Sequence, residues 1–149
     1  MPYTENYNTD YAVALEGMVA DTSPALIVSR TVETNDLAFG EAVKMGSKEH
    51  CVNGDTTGAA EIYGISVRSQ ATKAEKPNVY PVGDTAAILL RGAIWVKVGE
   101  PVAVDGIVTV TVATGAYGDQ AVAAGIVQIA NAKWETAATT GGLARLRIK

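Results

Sequence analysis

AAILLRGAIWVKVGEPVAVDGIVTVTV, residues 86–112, is the stretch that decides how this chain folds. Its first half alternates. Ile88, Leu90, Ile94, Val96 and Val98 share one face of an extended strand, and Ala87, Leu89, Arg91, Ala93, Trp95 and Lys97 share the other. Thirteen residues at roughly 3.3 Å each reach about 40 Å, long for a single strand. Gly92 interrupts the inner row, and a glycine inside a strand marks a bulge, a bend at a barrel corner or a close approach of another backbone. Gly99-Glu100-Pro101 ends the run, because proline brings no N–H to a central ladder. Asp105-Gly106 then separates Val102–Val104 from the β-branched run Ile107–Val112, the signal of a tight hairpin. The whole stretch predicts a β-meander at the centre of an all-β shell.

Outward from it, strands and turns continue to alternate. Asp21–Pro24 is a loop, Ala25–Glu33 alternates as a strand, and Thr34-Asn35-Asp36 turns. Leu37–Met45 is a second strand with Gly40 inside it, Lys48–Gly58 a loop, and Glu61–Ser69 another strand. Residues 70–78 form a polar excursion. TGAYGDQAVAAG, residues 114–125, is rich in small residues and predicts an exposed loop before a strand at Ile126–Ala130. Asn131 turns into Ala132–Thr136, which carries Trp134. LARLRIK closes the chain, with Leu146 and Ile148 on one side and Arg145, Arg147 and Lys149 on the other. No segment forms a convincing amphipathic helix. Short strands at a spacing of about ten residues, joined by glycine-rich turns, indicate a sandwich or barrel.

The length of 149 residues suits a single domain able to bury a core. We expect a β-barrel over residues 13–149, preceded by an extended arm at residues 1–12. Hydrophobic residues make up 48% and charged residues 19%, the composition of an ordinary soluble globule. The net charge of −4 argues against a nucleic-acid groove, which needs an excess of Lys and Arg. No run has the length of a membrane-spanning helix. Charge is also uneven: acids dominate up to Glu41, where Arg30 is the only base, whereas Lys133, Arg145, Arg147 and Lys149 near the C-terminus face only Glu135. Opposite-sign ends could pair across subunits. Within the arm, Tyr3, Tyr7 and Tyr11 recur every four residues among poor helix formers, which suggests aromatic anchors on an irregular segment. Expected interface residues are Tyr3, Tyr7, Tyr11, Tyr117, Trp134, Arg145 and Arg147.

Catalytic groupings are hard to find. His50 is the only histidine, so a multi-histidine zinc site is excluded. It adjoins Cys51, the only cysteine, but adjacent strand residues point to opposite faces and no third orienting group is evident. The single cysteine also rules out a disulfide framework within the chain. Gly54-Asp55-Thr56-Thr57-Gly58 lacks the Lys-Ser/Thr ending of a phosphate loop. Asp55, Glu61, Asp84 and Asp105 have no calcium-loop spacing. Ser66 is not in a nucleophile elbow. We expect no enzyme activity, no metal and no cofactor.

Five segments, taken in order and at these distances, resemble the capsid cement (decoration) proteins of tailed bacteriophages. They are MVADTSPALIVSRTVE, LAFGEAVKMG, YGISVRSQ, YPVGDTAAILLRGAIWVKVGEPVAVDG and AKWETAATTGGLARLRI. The likeness spans nearly the whole chain. Its most specific parts are FGEAV, YGISVR, RGAIWVKV with GEPVAVD, and the W-x-x-x-A-x-x-G-G-L-A pattern. The resemblance implies a compact β-barrel, jelly-roll or tulip-like fold. It also implies binding to the major capsid protein on the outer surface of an HK97-type shell, after synthesis in the host cytoplasm. Cement subunits of this kind associate as homo-oligomers, dimers or trimers, at symmetry axes, and no catalytic residues carry over. Alternatives are another virion β-module, such as a head-fibre base or tail component, and a small β-barrel enzyme or ligand-binding domain. A trimeric nucleotide hydrolase would need acidic and phosphate-loop motifs that this sequence lacks.

Overall fold

The computed structural model describes residues 14–71 and 73–149. Eleven strands are described: β1 (Leu26–Val32), β2 (Leu37–Ala38), β3 (Ala42–Met45), β4 (Cys51–Asn53), β5 (Gly64–Ser66), β6 (Val79–Tyr80), β7 (Thr85–Lys97), β8 (Ile107–Thr111), β9 (Ala116–Gly118), β10 (Ile126–Trp134) and β11 (Leu143–Ile148). No helix occurs among the described residues, so the fold is all-β, as expected.

The long alternating strand β7 is the spine. Its first half pairs antiparallel with β1, from Thr31↔Thr85 to Leu26↔Arg91, and on its other edge with β5. From β5 the sheet continues to β3 and β4, and β4 runs parallel to β1 at Thr31↔Cys51 and Val32↔Val52. Five strands thus close a ring. The second half of β7 pairs with β11, from Leu143↔Lys97 to Ile148↔Gly92, and the sheet runs on through β10 and β8 to β9. β9 returns to the end of β7: Val98 bridges Tyr117, and the Gly99 N–H donates to the Tyr117 carbonyl at 3.0 Å. A second five-stranded ring closes there, sharing β7 with the first. The result is a barrel-like sheet of nine strands.

Each ring has its own core. Val32, Val43, Val52, Ala86 and Ile88 fill the first, and Leu37, Phe39 and Tyr80, in and beside the β2–β6 pair, pack against them. Val96, Val98, Val108, Val110, Tyr117, Ile129, Trp134, Leu146 and Ile148 fill the second. Ala42, Ile65 and Leu89 come from first-ring strands but also join the second core. Along β7 the face that looks inward therefore changes. Ala86 and Ile88 face the first core, while Leu89 of opposite parity and Ile94 beyond Gly92 face the second. Gly92 has φ 124 at this crossing, and the opposite strand shifts register between Leu26 and Ile27. A bulge with a positive-φ glycine provides the local twist that such a handover requires.

The central stretch is not a meander. β7 pairs with β1, β5 and β11, and β8 pairs with β9 and β10. At the Asp105-Gly106 turn only Asp105 has positive φ (67), and the Gly106 N–H donates to the Ala103 carbonyl at 3.1 Å. Val102 bridges Ala138 instead of β8. The local hairpin signal is overridden by a partner far away in sequence. Leu37–Met45 divides into β2 and β3 around Gly40, which has φ 74. Cys51–Asn53 and Ala116–Gly118, both expected in loops, are the ring-closing strands β4 and β9. Asn131 has φ 60 but does not turn the chain. It sits at a register shift inside the continuous strand β10.

Candidate interaction surface

Tyr117 and Trp134 are core residues. Tyr117 is 4% exposed and Trp134 1%. Their rings meet edge to face with centroids 6.5 Å apart. The Tyr117 hydroxyl donates to the Gly40 carbonyl at 2.8 Å, and Trp134 Nε1–H donates to the Gly118 carbonyl at 3.1 Å. A buried tyrosine or tryptophan needs such a partner for its polar tip. Burial, with the Glu41 carboxylate nearby, holds the Tyr117 phenol well above its ordinary pKa. Glu41 is itself pushed up by burial, although it accepts the Ala38 N–H at 3.0 Å. Neither aromatic presents a surface. Ala116–Gly118 form a ring closure, whereas residues 120–125 beyond them are an exposed loop as expected.

Arg145 and Arg147 are partly exposed and paired within the chain. Arg145 lies 3.1 Å from Glu135 and 5.9 Å over the Trp95 ring. Arg147 lies 3.1 Å from Glu135, donates to Ser23 Oγ at 2.8 Å and pairs with Asp21. The bond from Ser23 and the Arg147 guanidinium hold the Asp21 carboxyl down at about 2. One acid of the N-terminal part is thus matched to a base of the C-terminal part inside one chain. Tyr3, Tyr7 and Tyr11 lie outside the described residues.

The groups considered for chemistry do not converge. Cys51 is buried whereas His50 is exposed. In the Gly54–Gly58 turn, Thr56 is buried and its hydroxyl donates to the Val112 carbonyl at 2.9 Å, tying the first ring to the second. Among the described residues, no three metal-ligating side chains gather.

Sequence reasoning missed the exposed apolar residues. Leu15 and Met18 stand 51% and 39% exposed and line an open groove with Val19, Val67, Arg68 and Asn78. The groove takes in Leu15, Met18 and Val19 from the start of the described residues. Nearby, the Gly17 N–H donates to the Trp95 carbonyl, and a Cβ on Gly17 would come within 2.8 Å of the Gly40 nitrogen, so this crossing admits only glycine without a shift. Leu26 and Ile27 are 48% and 43% exposed at the start of β1. Two consecutive large apolar residues in an alternating strand were the available signal, since one of them must face outward.

Among curated proteins, none matches the chain. Solved structures are similar, two of them from phage particles. A chain from a structure titled "The capsid of Myoviridae Phage XM1" superposes with TM-score 0.75 at 19% identity, covering 100% of this chain and 98% of that one. A second, from "The crystal structure of head fiber gp8.5 N base in bacteriophage phi29", gives TM-score 0.49 at 12% identity, covering 85% of this chain and 95% of that one. The first shows that this fold recurs in another protein at low identity. Sequence carries the assignment further: the family described as structural cement protein (E217 gp24/Pam3 gp6) matches residues 3–149, and the chain belongs to that family of phage virion proteins.

Proposed function

We propose that this cement protein coats the outer surface of an HK97-type phage shell and clamps adjoining subunits of the major capsid protein. Residues 13–149 form the cement body, and residues 1–12 are an anchoring arm. Family membership over nearly the whole chain carries this reading. The groove of Leu15 and Met18 supports it, because it offers exposed apolar surface on the body. Tyr3, Tyr7 and Tyr11 supply contact area of the kind that dominates protein interfaces.

The mechanism is mass action. A protein that binds the assembled shell better than separated subunits stabilises assembly by about RT ln(1 + [L]/Kd) per site. Self-association multiplies the effect, since once one protomer is bound its partners act at high effective concentration. Particles made without the protein should release DNA at a lower temperature than decorated ones. Adding purified protein back should raise that temperature and saturate at a stoichiometry set by the shell lattice. Equal release temperatures for bare and decorated particles would show that the protein does not clamp the shell. Deleting residues 2–12 should leave a folded body that decorates shells more weakly, and full decoration by the truncated protein would remove the arm from the mechanism.

A further inference from the structure

We propose that β1 is the self-association edge, pairing antiparallel with β1 of a second copy across a two-fold axis. This specifies the oligomeric part of the function proposed above. β1 meets β7 along Leu26–Thr31, but on its other side it meets β4 only at Thr31 and Val32. The direction of the backbone groups follows from the bonds at that end. The Val32 N–H donates to the Asp84 carbonyl on the β7 side, and the Thr31 N–H donates to the His50 carbonyl on the β4 side. Bonding alternates along a strand. Val28 and Arg30 therefore bond toward β7, and the N–H and C=O groups of Ile27 and Ser29 point away from it. No strand among the described residues lies there. The Ser29 carbonyl accepts one bond from Arg30 Nη1 at 2.8 Å, which leaves it a second lone pair.

Exposed edges normally carry charges, a proline or a bulge that discourages pairing. Residues 26–29 carry no charge, and Leu26 and Ile27 present large apolar side chains to solvent. The Arg30 guanidinium, which donates through Nη1 to the Ser29 carbonyl, is also tied to Tyr63, lying 5.6 Å from its ring and donating to its hydroxyl at 2.9 Å. A second copy is the occupant that fits, because the edge is self-complementary. With Val28 opposite Val28 of the second copy, Ile27 faces Ser29 and Ser29 faces Ile27. Both residues with outward backbone groups then form hydrogen-bonded pairs, and Val28 forms the close, non-hydrogen-bonded pair on the axis. Such a contact is isologous and closes at a dimer.

The test uses the full chain in solution without capsids, so its failure leaves the shell-binding function standing. Sedimentation across a concentration series should give a dimer. Ile27→Lys and, separately, Ser29→Pro should weaken it by about tenfold or more with an unchanged circular dichroism spectrum. Val28→Cys in a Cys51→Ser background should form a covalent dimer on oxidation, because Cβ atoms of a close antiparallel pair lie within about 5 Å. A wild-type monomer at all concentrations overturns the proposal. So does a dimer that survives both edge variants, or one in which Val28→Cys fails to cross-link. Loss of shell decoration in Ile27→Lys with an unchanged solution state also overturns it, and would assign the edge to a strand of the capsid protein.

Discussion

A valine at position 92 would have to adopt φ 124, in the region that L side chains avoid, and its Cβ would meet the Ala25 Cβ at 3.0 Å and Leu89 Cδ1 at 3.3 Å. Backbone strain of this kind costs about 1–3 kcal/mol. The contact with Ala25 adds to it, because that neighbour lies where the strand opposite β7 shifts register. Gly92→Val should therefore lose about 2 kcal/mol or more in chemical denaturation, and an unchanged midpoint would contradict this account of the crossing. The importance of Gly92 was legible in the sequence, since a glycine interrupting a row of inward side chains has few other uses. Tyr117 was not legible. Its place is fixed by the Gly40 carbonyl, distant in sequence, and by the edge of Trp134, and nothing in TGAYGDQ points to either.

Elements long enough to show a period were legible, as were β2, β3 and β5 inside longer runs that read as strands, whereas the short strands β4, β6 and β9 were not. β1, β7, β10 and β11 each span at least six residues and alternate visibly. β4, β6 and β9 have two or three residues each, too few to show a period of two; β4 and β9 are held by the longer strands β1 and β8, and β6 by the equally short β2. The loop before β1 is fastened to β11 in a way that pH should report. The Asp21 carboxyl, normally near 3.8, is held at about 2 by Ser23 and then by Arg147. A lowered acid favours the folded state above its unfolded pKa and loses that contribution as pH falls through its folded one. The fastening is thus complete above about pH 4 and disappears toward pH 2. Asp21→Asn should melt at a lower temperature than the wild type at pH 7, and the two curves should converge on acidification to pH 2. Glu33, Asp36 and Asp55 are also lowered, so both proteins will lose stability in acid. Only the difference between them reports on Asp21, and a difference independent of pH would exclude the ion pair as its source.

At the scale of the molecule, the class of fold was legible and the ring closures were not, because they join segments far apart in the chain. β7 finds β1, β5 and β11 as partners, none of them its neighbour in sequence. That topology has a consequence for stability. The two rings share β7, and Ala42, Ile65 and Leu89 of the first contribute to the core of the second. Loss of the first ring would strip apolar cover from the second, so both should unfold in one transition. The two tryptophans allow a direct test, since Trp95 lies in the second half of β7 and Trp134 in β10, both second-ring positions. Leu37 belongs to the first core and is fully buried. Leu37→Ala should cost about 2–5 kcal/mol. If the rings form one cooperative unit, the midpoint reported by tryptophan fluorescence will fall by the same amount as that reported by circular dichroism. A fluorescence transition left at its wild-type position, with a biphasic circular dichroism curve, would mean that the rings fold separately and that β7 joins them without coupling them.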